Sequence, residues 1–188
     1  MKDTTVAREK APSSPMRMGI VLFLISETFL FGALFWTYYY LRGHDTPWPP
    51  QHPLATLPAI NTGLLLLSSI AVWLGGYMIK KGREKGLFIG LLVTVLLGAS
   101  FLGITGWEWL HESFRPWTNA YGSIFFLLTG VHALHVFGGV LLMLALLART
   151  ARHRFTAGNS VGVEIGSLYW HFIDLIWLLV FTTIFIVR

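Results

Sequence analysis

Five apolar runs, separated only by short connections, dominate this chain: Met18 to Leu41, Ile60 to Ile79, Leu87 to Leu110, Tyr121 to Leu147 and Ile165 to Val187. Their lengths, 20 to 27 residues, match what an α-helix needs to cross a bilayer core, with some tilt. In hydrocarbon every backbone N–H and C=O must be satisfied within the segment, so each run is expected to be a helix. No proline falls inside any of the five. The predicted fold is an all-α integral membrane bundle of five transmembrane helices, one membrane domain over 18–188 after an N-terminal segment, 1–17, whose Pro12, Ser13, Ser14 and Pro15 suggest flexibility. The runs leave no room for a separate soluble domain, and the 54% hydrophobic and 12% charged composition agrees.

Lys and Arg are divided unevenly between the two sides. Eleven lie before the first run, at 80–85 and at 149–154, against Arg42, Arg115 and Arg188 on the alternate connections. The positive-inside rule therefore places the N-terminus in the cytoplasm and the C-terminus outside. The same bias accounts for the net charge of +5 as inner-leaflet charge, so a nucleic-acid surface is not expected. The first run begins after Arg17, is too long for a signal core and contains Glu27 rather than a small-residue cleavage site, so it is read as an uncleaved span.

Ligand counts restrict the redox chemistry. Cysteine is absent, which excludes thiolate zinc, iron–sulfur clusters, a cysteine-bound copper pair and disulfides within the chain. Only His132, His135 and His171 lie within runs, about half the histidines a haem–copper centre requires. His132 and His135 have the i, i+3 spacing of a metal pair, but no acidic residue lies within a turn of them. Histidines hydrogen-bonded to other helices are the adopted reading. No catalytic, cofactor-binding or metal residue is expected in this chain.

The informative residues are ionisable groups at membrane depth, where charge is costly. Glu164, Ser167, His171 and Asp174 share an arc of roughly 80° on the last helix, with Trp170 and Trp177 beside it, a stripe that must face protein. Glu27 lies about 14 Å along the first helix, near the midplane, and is expected to meet a histidine of the fourth helix or of a neighbouring subunit. Two roles remain open for it: a proton relay or lipid-headgroup anchor, and a neutral acid hydrogen-bonded across helices. Glu108, between Trp107 and Trp109, is expected at the outer interface as an exposed or interfacial charge. Glu164 suits the start of the last helix, after the capping types Asn159 and Ser160. Thr62, Ser69 and Gly76 on the second helix, and Gly90, Thr94 and Gly98 on the third, predict close backbone approach.

Several segments together resemble subunit III of haem-copper terminal oxidases, over the chain from about Met18 onward. They are Ser26-Glu27 with Phe29, Phe31, Phe35 and Trp36, then Asn61-Thr62 with Ser68-Ser69, and Trp107-Glu108-Trp109. Tyr121-Gly122-Ser123 with Phe125-Phe126 leads to Thr129-Gly130-Val131-His132 and His135-Val136, and Tyr169-Trp-His-Phe-Ile-Asp-Leu-Ile-Trp177 closes the series. Two positions depart from the pattern: Asn159-Ser160 stand where the family often has a histidine pair, and Thr105 where it often has a glutamine.

The resemblance implies a five-helix, bacterial-type form of a helical bundle lying against the catalytic subunit I, in a bacterial plasma membrane. It implies a non-catalytic subunit that supports assembly, stability and proton uptake of a proton-pumping oxygen reductase, a cytochrome c or quinol oxidase, with haem and copper in partner subunits and none in this chain. Subunit II, small subunits and a structural phospholipid are the further expected partners. Glu27 matches the family's buried carboxylate, and His132, His135, His171 and Asp174 match its other intramembrane polar positions. Two alternatives are a similar protein accompanying a nitric oxide reductase and a free-standing proton or solute carrier. The carrier finds no support in an internal repeat or in proline-broken helices.

Overall fold

The computed structural model describes residues 15–44, 48–49, 55–155 and 160–187. Five helices, α1 Pro15–His44, α2 Thr56–Lys80, α3 Glu84–His111, α4 Ala120–Ala151 and α5 Val161–Phe181, carry all five predicted spans, and there is no strand among the described residues. A π-helical turn, Thr182–Ile186, extends α5. Each helix is long and apolar enough to cross a bilayer. The predicted flexible segment falls partly on residues 1–14, which lie outside the described residues; Pro15 to Arg17 are already helical. Proline suits a first helical position, where its fixed φ is preorganised and its missing N–H is not needed.

The helix ends extend past the apolar runs because polar residues finish them. Asn119 caps α4 by accepting from the Gly122 N–H at 2.7 Å. Arg115 donates to the Trp109 and Leu110 carbonyls at the end of α3. Between α2 and α3 the chain reverses in a tight turn, with Gly82 at φ +74° and the Gly82 and Arg83 N–H groups bonded to the Ile79 and Met78 carbonyls.

α2, α3, α4 and α5 form a four-helix ring: α2 packs on α3 and α5, and α4 packs on the same two. α1 lies outside it, against α4 and α5. Trp170 of α5 is the centrepiece. Its ring is 1% exposed and enters a cleft left open by Gly98 of α3 and Gly139 of α4, where an added Cβ would lie 2.7 Å and 2.9 Å from ring carbons. Its indole N–H donates to Ser68 of α2 at 2.9 Å, so one side chain ties all four helices of the ring together.

Gly90 makes the close approach expected of α3: a Cβ there would meet the Ala71 carbonyl oxygen at 2.7 Å and the Gly75 Cα at 2.9 Å. The matching stripe of α2 is corrected. Gly75, not Gly76, faces α3, while Thr62 and Ser69 turn to α5 as hydrogen-bond partners and Gly76 has open space. The outer surface is apolar, with Phe29, Trp36, Leu110 and Leu134 directed away from the bundle, as a lipid-facing surface requires.

Candidate functional site

The α5 stripe faces α2 of the same chain. His171 lies between two serine hydroxyls: Ser69 of α2 is 2.5 Å from Nδ1, and Ser167, one turn back on α5, is 3.1 Å from Nε2. A neutral imidazole has one donor and one acceptor nitrogen, so one serine accepts while the other donates, and the order reverses with the tautomer. Asp174 is buried, and neither carboxyl oxygen has a hydrogen-bond partner among the described residues. The Ser69 hydroxyl lies beside the carboxyl, and in the tautomer in which it accepts from His171 its own hydrogen can turn to Asp174. One turn further, the Trp177 indole donates to Thr62 at 2.9 Å. At the other end of the stripe Glu164 bonds Arg17 at 2.8 Å and Lys80 at 3.3 Å, which brings the starts of α1 and α5 and the end of α2 to one face of the bundle. These three side chains are partly exposed, so the ion pairs fix register more than they add stability.

The second centre joins α1 to α4. Glu27 Oε2 lies 2.8 Å from His135 Nε2, and both side chains are about 15% exposed. His135 Nδ1 is 2.7 Å from the Val131 carbonyl, which can only accept, so Nδ1 carries a hydrogen. The Glu27 contact then needs one more proton, held either as Nε2–H beside a carboxylate or as carboxyl O–H beside a bare nitrogen. Both forms are neutral overall, which suits a site at membrane depth. The Tyr169 hydroxyl donates to the His135 carbonyl at 3.2 Å, and Phe31 packs edge-on to the His135 ring at 5.2 Å.

His132 differs from its neighbour. It is fully buried among Phe31, Phe101 and Trp177, whose rings lie 6.5, 5.7 and 5.0 Å away, and neither nitrogen has a hydrogen-bond partner among the described residues. The expected hydrogen bonds to other helices are thus made by His135 and not by His132. One turn of helix turns the two rings to different surroundings, α1 for one and the interior of the ring for the other. Among the described residues no three His, Cys, Asp or Glu side chains converge as a metal would require.

Glu108 is the clearest correction. Instead of standing exposed at the interface, it is 7% exposed, with one carboxyl oxygen unpartnered among the described residues. The register of α3 explains this: Thr94, Gly98, Phe101, Thr105 and Glu108 follow one another at spacings of three and four, so Glu108 continues the inward stripe while Trp107 and Leu110 point out. Thr105 accepts from the buried amide of Asn61 at 3.1 Å, a tie between α2 and α3 that its place in the motif did not reveal. Just beyond α3, burial raises the Glu112 carboxyl from its ordinary value.

The family model described as Cytochrome c oxidase subunit III matches residues 4–187. A protein named cytochrome c oxidase subunit 3 from Thermostichus vulcanus is 38% identical, covering 97% of this chain and 94% of the relative. The protein of the same name from Equus caballus is 35% identical, covering 90% of this chain and 69% of the longer relative. With five spanning helices, a matching family model over nearly its full length and relatives at this identity, the chain belongs to the cytochrome c oxidase subunit III family.

Proposed function

We propose that this chain, a component of a haem-copper oxidase without a catalytic centre of its own, sustains proton uptake by the catalytic subunit I and stabilises the assembled complex. The observation that carries the reading is the Glu27–His135 pair, which holds one proton between two heavy atoms 2.8 Å apart while the far nitrogen of the imidazole is fixed by the Val131 carbonyl. Such a pair can pass its proton within the contact without creating net charge in the membrane. The Ser167–His171–Ser69 set beside Asp174 is a second place where hydroxyl and imidazole hydrogens can reorient together.

Subunit I is the main partner, with subunit II and small subunits completing the complex and with haem and copper held outside this chain. The relatives are named for cytochrome c, which supports that protein as electron donor to the complex. The Lys- and Arg-rich face, where Arg17, Lys80 and Glu164 meet, lies on the cytoplasmic side of a bacterial plasma membrane, and structural phospholipid fills the lipid-facing surface.

The test is Glu27→Gln in the assembled oxidase. Glutamine keeps the shape and can donate to His135 Nε2, so assembly is retained, but the shared proton is lost. Proton uptake, followed with a pH indicator during turnover, is expected to slow several-fold; an unchanged rate in a complex that retains this subunit overturns the reading.

A further inference from the structure

A groove of about 760 Å³ lies where the α2–α3 turn meets the end of α4. None of the intramembrane polar centres borders it. Its floor is apolar, formed by Met78, Gly86 and Phe88, and Phe88 lies about 6 Å deeper along α3 than the first helical residue, toward the hydrocarbon. Its rim is cationic, formed by Arg83 and Lys85.

The other cations of this turn are engaged: Lys80 pairs with Glu164, and the Lys81 ammonium sits 4.5 Å over the Tyr77 ring. Arg83 and Lys85 are exposed and make no ion pair among the described residues. The acid in the lining, Glu84, contacts His153 at 2.7 Å and makes no ion pair with either of them among the described residues, so the rim keeps an excess of positive charge. The groove thus offers two free positive charges at headgroup level above an apolar floor at acyl-chain level.

We propose that this groove binds an anionic glycerophospholipid, its phosphate at Arg83 and Lys85 and one acyl chain along Met78 and Phe88. A soluble phosphate would use the rim and leave the floor idle; a zwitterionic lipid would use the floor and gain little from the rim. The inference does not depend on the proton-uptake role.

The test uses the oxidase complex containing the full chain, placed in phosphatidylcholine nanodiscs with a trace of photoactivatable phosphatidylglycerol, and maps the labelled peptide. Labelling within residues 78–88 is expected, and the R83Q/K85Q double variant is expected to lower it roughly thirtyfold. R17Q/K80Q, which removes the same charge from the same face at the Glu164 ion pairs, outside the lining of the groove, is expected to leave it unchanged. Equal losses in the two variants, equal labelling by photoactivatable phosphatidylcholine, or abolition by millimolar inorganic phosphate would each overturn the proposal.

Discussion

At the residue scale, the ring of helices depends on atoms that are missing. Trp170 fits only because Gly98 and Gly139 carry no side chain, and the indole N–H finds Ser68 only from that position. Gly98→Ala is therefore expected to lower stability in detergent by about 1–3 kcal/mol through overpacking. Gly76→Ala, with open space around it, is expected to change stability by less than about 1 kcal/mol, since only helix propensity is altered. Thermal unfolding of the two variants side by side separates packing from propensity; equal losses would contradict the structure. Residue chemistry was partly legible in advance. Glu27 beside a histidine of the fourth helix follows from the scarcity of groups that can compensate a deep carboxylate. Glu108 was not, because the flanking tryptophans speak for an interface while the register of α3, which decides, shows only when the whole inward stripe is followed.

At the element scale, apolar run length locates all five helices, but it cannot find their ends. Pro15 to Arg17, Thr56 to Ala59 and Val161 to Glu164 are helical although they precede the runs: backbone hydrogen bonding, not hydropathy, decides where a helix starts, and α2 and α5 start with no side-chain cap among the described residues. The end of α3 also carries a pH dependence. Burial raises the Glu112 carboxyl above its unfolded value of 4.5, so the folded state holds its proton more tightly than the unfolded one. Its contribution is complete below the unfolded value and is lost as pH rises through the folded one. The closing bond from the Glu112 N–H to the Glu108 carbonyl, 3.0 Å, is thus expected to be better protected from hydrogen exchange at the acid end of that window after correction for intrinsic rates. Glu112→Gln is expected to flatten the difference; a slope that survives the substitution would assign it to another group.

At the scale of the whole molecule, the sequence indicates which helices exist but not which ones touch. Ser69 and Thr62 look like packing residues in sequence, and only the antiparallel placement of α2 and α5 turns them into partners of His171 and Trp177. The sidedness read from the Lys and Arg bias has a direct test, since the chain contains no cysteine. Lys81→Cys and Thr118→Cys, introduced singly, are expected to react with an impermeant maleimide from opposite sides of sealed vesicles, Lys81→Cys from the cytoplasmic side. The reverse pattern would invert the topology.

The arrangement of α1 bears on how the molecule is made. Glu27 and His135 are 108 residues apart, and α1 packs against α4 and α5, which emerge during synthesis only after α2 and α3. At the usual pace of translation this separation corresponds to a wait of roughly 5 to 20 s. Throughout that interval the first helix carries an acid whose partner does not yet exist, in a setting that penalises its charge. Nascent chains stalled before His135 are consequently the form of this protein with the greatest need of an insertase or a quality-control protease, and the arrival of the fourth helix is the moment at which that need ends.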